Sequence, residues 1–146
     1  MGFSYNVERA IAAPPSIVWQ VLTHKQALLD GDFGITQLDG DLTLGGKLVL
    51  RAAIAPKQAF KLKVKEFQPE QRMVWTGGMP FGLFTGTRMF TLNPDGAGTH
   101  FVVQEIFTGL MAGMIGKSMP DLQPSFDQFA NALKQASESR VQGEAA

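Results

Sequence analysis

Between Gly86 and Gly109 the chain reads GTRMFTLNPDGAGTHFVVQEIFTG, two strand-like runs around the turn-forming cluster Asn93-Pro94-Asp95-Gly96-Ala97-Gly98. Alternating apolar residues on either side of such a cluster require a hairpin. With Phe90 set opposite Phe101, alternation puts Arg88, Phe90, Leu92, Phe101, Val103, Glu105 and Phe107 on one face. That face is aromatic, yet it holds one Arg and one Glu within reach of each other. Such a pair is either a structural ion pair or the polar end of a pocket.

The other segments extend this pattern. Phe3 to Ile11 alternates as a strand, and Pro14-Pro15 ends it and suits a helix start. Ile17, Val18, Val21 and Leu22 share one helical face, which predicts a helix from Pro15 to Thr23. A second small helix is expected over Lys25 to Leu29. Any strand around Ile35 to Leu38 is short, because glycines punctuate that stretch. Strands are expected again at Lys47 to Ile54, Ala59 to Phe67 and Arg72 to Gly77. A loop Gln68-Pro69-Glu70-Gln71 joins the last two, and pairing Phe67 with Arg72 places Leu62, Val64, Met73 and Trp75 on a common face. Leu122, Phe126, Phe129, Ala130 and Leu133 form one face of a terminal helix. The polar tail from Glu138 is expected to fray.

This order predicts an α+β fold in which an antiparallel sheet has its apolar face covered by helices. One domain is expected over 1–137, with 138–146 as its tail, and 146 residues suffice for a substantial core. The 13 acidic and 13 basic residues balance, so no global field draws nucleic acid or anionic membrane. Lys61, Lys63 and Lys65 alternate with Phe60, Leu62 and Val64, as on the wet side of a strand. Cysteine is absent, which removes disulfides, thiolate metal sites and a Cys nucleophile. With no signal-peptide pattern and no apolar run of membrane-spanning length, a soluble cytoplasmic protein is the expectation.

Several segments together resemble the START-like or SRPBCC superfamily, the birch-pollen-allergen fold often described as polyketide cyclase/dehydrase and lipid transport. They are Ala13-Pro14-Pro15-Ser16-Ile17-Val18-Trp19 after the opening strand, Gly45-Gly46-Lys47-Leu48, and Phe67-Gln68-Pro69 with Met73-Val74-Trp75. The series continues with Gly98-Thr99-His100-Phe101, then Glu105-Ile106-Phe107-Thr108-Gly109, and Phe126, Phe129 and Leu133-Lys134 of the final helix. The resemblance implies a helix-grip fold: a curved antiparallel sheet of about six or seven strands around a long C-terminal helix, with one or two short helices after the first strand. It also implies a small hydrophobic or amphipathic ligand held between sheet and helix.

The residues themselves suggest no metal or cofactor: there is no HxH, HExxH, GxSxG or phosphate-binding glycine loop. His100 has the parity opposite to Phe101 and is expected to face outward. Candidate cavity residues are Tyr5, Leu62, Met73, Trp75, Arg88, Phe90, Phe101, Val103, Glu105, Phe107, Met111, Met114, Phe126 and Phe129. Asp30 and Asp32 either rim an entrance or form a simple turn. Gly109 to Gly116 is either a gate or a helical lead-in. Three functions are compatible with this set. The first is binding of an apolar ligand. The second is a cyclase, hydratase or lyase using Arg88, Glu105 and Tyr5. The third is an interaction module resembling a heat-shock co-chaperone activator. A homodimer through the outer sheet face is also compatible.

Overall fold

The computed structural model describes residues 2–145. Its elements in chain order are β1 (Phe3–Ile11), α1 (Pro15–Leu22), α2 (Lys25–Asp30), β2 (Ile35–Gly40), β3 (Lys47–Ala52), β4 (Ala55–Gln68), β5 (Arg72–Met79), β6 (Phe84–Asp95), β7 (Gly98–Thr108), α3 (Ala112–Ser118) and α4 (Gln123–Ala145). The strands form one seven-stranded sheet in the order β1-β7-β6-β5-β4-β3-β2, with every pairing antiparallel. Consecutive strands from β2 to β7 are neighbours, as short connections dictate. Only β1 departs from that order, crossing to pair with β7 while α1 and α2 bridge the gap to β2. This is the helix-grip architecture, with α4 lying in the concave face.

The hairpin that opened the reading is tighter than its sequence suggests. Asp95 pairs with Gly98, so the turn is Gly96-Ala97 alone, with Gly96 at φ +61°. Asn93, Pro94 and Asp95 remain in β6. Pro94 is tolerated because β5 begins only at Arg72, opposite Thr91, so no β5 residue lies beside Pro94 to need its missing N–H. The shorter turn moves the register by two residues: Phe90 faces Val103, Leu92 faces Phe101 and Arg88 faces Glu105 directly. A shift of two preserves the shared face and changes the partners.

The β4–β5 loop is corrected in the same way. Gln68, rather than Phe67, pairs with Arg72, and Gln71 N–H closes the turn on Gln68 O at 3.0 Å, with Glu70 at φ +66°. A register irregularity between Val64 and Glu66 then keeps Val64 opposite Trp75.

One half of the concave face is solidly packed. Val18, Val21 and Leu22 of α1 and Leu28 of α2 meet Met73, Phe90, Leu92 and Phe101 of the sheet and Leu133 of α4, all nearly inaccessible. Pro15 at the first turn of α1 has no N–H to leave unpaired, and Thr23 closes the helix by donating Oγ1–H to Trp19 O at 2.7 Å. Lys61, Lys63 and Lys65 are exposed, as their alternation predicts, and so is Lys57. Among the described residues no helix is long and apolar enough to cross a membrane.

The expected fraying from Glu138 is not observed, since α4 continues through Ala145. Polar contacts clip the helix to β1 and the residues after it. Arg9 donates to Asn131 Oδ1 at 2.8 Å and to Asp127 Oδ1 at 3.2 Å, and Lys134 Nζ donates to Ala10 O at 2.8 Å. Glu138 Oε2 accepts from Ala12 N–H at 2.8 Å and from Lys134 Nζ at 2.6 Å, beside the fully buried Ser137. Composition made this stretch look like a tail; long-range partners make it a helix.

The Ala12 N–H and, next, Lys134 hold the Glu138 carboxyl below the ordinary value of 4.5. A lowered folded-state value means that the unfolded chain takes up the proton first. The stabilisation is therefore present above about pH 4.5 and disappears as pH falls through the folded value. Glu138→Gln is expected to lower the melting temperature by roughly 2 °C at pH 7, with the difference shrinking as pH is taken progressively below 4.5. Thermal unfolding followed by circular dichroism across that range measures it, and a pH-independent difference would remove the charge from the explanation.

Candidate functional site

The half of the concave face under the first turns of α4 is not filled. It encloses a cavity of ≈ 660 Å³, walled by β2 to β7, by α3 and by the start of α4. Two features of the sheet make the room. Gly77 and Gly86 face each other across β5 and β6, in the row Phe3, Phe107, Gly86, Gly77, Leu62 that runs over five strands. Side chains at those two positions would otherwise stand in the cavity floor. Neither position accepts one easily: a Cβ on Gly77 would sit 2.5 Å from Lys61 O, and one on Gly86 3.1 Å from Phe107 Cε1. Gly78 follows at φ +145°, a conformation open to glycine, where β5 turns toward its end.

The next row inward is polar. Tyr5, Glu105, Arg88, Trp75 and Val64 lie opposite one another across β1, β7, β6, β5 and β4. Beyond it the row Val7, Val103, Phe90, Met73 is apolar; Val103 still touches the cavity, and the other three belong to the packed core. The polar row thus marks the boundary between filled core and cavity.

Arg88 donates Nε–H to Glu105 Oε1 at 2.6 Å, and its guanidinium carbon lies 4.7 Å from the centroid of the Phe126 ring. The ring and the carboxylate hold the guanidinium plane on two sides. The Arg88 side chain keeps 27% of its exposure and that of Glu105 12%, so the pair is largely covered, and both residues line the cavity. Trp75 is buried at 1% exposure and meets Phe90 at 4.8 Å between ring centroids. The rest of the lining is largely aromatic and aliphatic: Phe60, Leu62, Met79, Phe84, Phe107, Leu122, Phe126 and Phe129, with Gln58, Lys61, Ser118 and Ser125 as polar members.

Of the expected cavity residues, Leu62, Trp75, Arg88, Val103, Glu105, Phe107, Phe126 and Phe129 line this space. Six do not. Met73, Phe90 and Phe101 have the right parity but lie further along their strands, where α1 and the middle of α4 cover them at 0% exposure. Tyr5 stacks on Phe126 at 5.4 Å and accepts the Leu122 N–H at 3.4 Å, so it braces the wall from behind. Met111 precedes α3 outside the lining, and Met114 projects from α3 at 62% exposure. Gly109 to Gly116 is thus partly the helical lead-in, bonded through Met111 N–H to Leu83 O at 2.8 Å.

His100 takes the outward parity and lies 3.3 Å from Glu8. Asp32 accepts from Gln128 Nε2 at 2.9 Å, in a shallow polar groove along α4 apart from the cavity. Among the described residues no group of three or more His, Asp or Glu is arranged to hold a metal.

Phe84, Gly86 and Gly77 were missed, although extending the alternation of β6 back from Arg88 reaches Gly86 and Phe84. Leu122 shares the helical face of Phe126 and Phe129, whereas Ile54, Gln58, Ala59 and Met119 carry no such signal, because hairpin geometry and helix placement bring them in.

An antiparallel sheet gripping a long C-terminal helix, with an aromatic-walled cavity at one end, defines the helix-grip class of ligand-binding domains. The chain belongs to the polyketide cyclase / dehydrase and lipid transport family, whose model matches residues 3–138. No curated protein sequence matches it significantly. Among solved structures it is similar to a norcoclaurine synthase variant of Thalictrum flavum in complex with a transition-state analogue, at TM-score 0.74 and 13% identity over 97% of both chains. A Staphylococcus aureus protein of unknown function has TM-score 0.73 and 16% identity over 97% of both. A Mesorhizobium loti protein has TM-score 0.70 and 20% identity, over 94% of this chain and 98% of that one. At these identities the likeness concerns the fold.

Removing one member of the Arg88–Glu105 pair leaves the other charge largely covered and without its partner. Glu105→Leu or Arg88→Met alone is expected to destabilise by about 2 kcal/mol, while the two combined recover most of that loss. Urea unfolding of both single variants and the double gives the coupling energy, and a coupling near zero would show that the pair does not hold this row.

Proposed function

We propose that the protein binds one small, predominantly apolar molecule in the cavity between the sheet and the α3–α4 segment. The observation that carries this reading is a space of ≈ 660 Å³ beside a core that is otherwise close-packed. That volume lies in the range of sites for small organic ligands, about 300–1,000 Å³. Its walls supply aromatic area with few polar groups, the composition that captures an apolar body and orients it by one end. The similar norcoclaurine synthase structure, solved with a transition-state analogue, supports the idea that such a fold holds a small molecule.

Catalysis of the cyclase, hydratase or lyase kind is the weaker reading. Arg88 and Glu105 line the cavity, but they are bonded to each other, and the third candidate, Tyr5, lies behind Phe126 with its hydroxyl engaged by Leu122. The interaction-module reading rests on Phe81 and Leu110, exposed at 94% and 88%. Both lie in loops at the cavity end of the sheet, where Leu110 N–H donates to Gly82 O, so they fit an apolar rim at least as well.

The uncharged dye N-phenyl-1-naphthylamine is expected to bind saturably at one site, with strong fluorescence enhancement. At a hundredfold excess over its Kd it should stabilise the fold by about 2.7 kcal/mol. Leu62→Trp, which adds bulk to the wall, should weaken the dye at least about tenfold, equivalent to 1.4 kcal/mol, while the fold persists. Absence of saturable binding would overturn the proposal.

A further inference from the structure

The polar end of the cavity presents a donor and an acceptor side by side, without net charge. Arg88 uses Nε for Glu105, and among the described residues its two terminal nitrogens make no hydrogen bond. Glu105 uses Oε1 for Arg88. Its Oε2 accepts no hydrogen bond from the described residues and lies on the cavity side, 3.1 Å from where a Cβ on Gly86 would stand. Gly86, Arg88 and Glu105 all line the cavity. Because Gly86 has no side chain, this oxygen is left uncovered.

The charges discriminate between ligand classes. A carboxylate that met Arg88 would also stand beside the Glu105 carboxylate, and like charges at that spacing repel. An ammonium group would meet the opposite conflict with Arg88. A ketone or ether could accept from Arg88 but would bury Glu105 Oε2 without a donor, which is costly. A hydroxyl satisfies both, accepting from a guanidinium N–H and donating its own hydrogen to Oε2. It is also uncharged, matching a pair that is neutral as a whole.

Resting on the cavity-binding reading, we infer that the ligand is an uncharged hydroxyl compound, a phenol or alcohol on an apolar skeleton, with its hydroxyl bridging Arg88 and Glu105 Oε2. Glu105 thereby acts as a filter. It neutralises the guanidinium that would otherwise attract anions and supplies the acceptor that recognises the hydroxyl hydrogen.

Isothermal titration calorimetry with 2-naphthol, 2-methoxynaphthalene, 2-methylnaphthalene and 2-naphthoate tests this at neutral pH. We expect 2-naphthol to bind at least about tenfold more tightly than the ether, the hydrocarbon or the anion, roughly one charge-assisted hydrogen bond. In Glu105→Gln the order should reverse between two probes. The naphthoate gains about tenfold because Arg88 is no longer neutralised, and the naphthol loses affinity. Equal binding of 2-naphthol and 2-methylnaphthalene would overturn the hydroxyl inference and leave the cavity reading standing. Preference for 2-naphthoate by the parent protein would overturn it as well. Failure of all four probes and of N-phenyl-1-naphthylamine would overturn both readings. Should Glu105→Gln not fold, the ranking by the parent protein decides.

Discussion

A two-residue turn at Gly96-Ala97 sets the register between β6 and β7, and the site depends on that register. With Asp95 opposite Gly98, Arg88 falls opposite Glu105, and the same ladder continues to Tyr5 on one side and Trp75 on the other. A slip of one residue would turn every one of these side chains to the outer face. A slip of two, as a longer turn would allow, would keep the face but put Arg88 opposite Val103. The ion pair and the cavity's polar end follow from how the hairpin closes.

Core and cavity are two treatments of one surface. Along β5, β6 and β7 the inward residues are large where α1 lies beneath them, as with Met73, Phe90 and Phe101. Two of them are glycine where no helix reaches down, at Gly77 and Gly86. The polar row stands at the boundary. Charged groups there avoid the full penalty of burial, because each is partly open and paired. The aromatic ring of Phe126 serves both sides, carrying Tyr5 behind it and the Arg88 guanidinium in front.

Much of the fold was legible in the sequence because periodicity and turn chemistry are local. The helix from Pro15, the strand alternation and the inward parity of Arg88, Phe90, Val103 and Glu105 need only near neighbours to be read. The errors lie where distant contacts decide. Glu138 onward is small and polar, yet it is helical because Ala12 and Lys134 engage its carboxylate. Met73, Phe90 and Phe101 share a face with the cavity residues, but their distance along the strand from the polar row puts them under α1 and α4. Parity gives a residue's side of the sheet and leaves its depth along the strand open.

By itself the sequence determined the strands and the helices up to Glu138 apart from α3, the antiparallel order implied by short connections, and which strand residues turn inward. It also supplied an Arg and a Glu on one aromatic face. Tertiary structure alone decided that these two stand directly opposite, that Tyr5 braces the wall instead of facing a ligand, and that the space beside them is a cavity. The physical reason is that alternation is a property of two or three consecutive residues. Register and unfilled volume arise from where seven strands and a distant helix come to rest against each other.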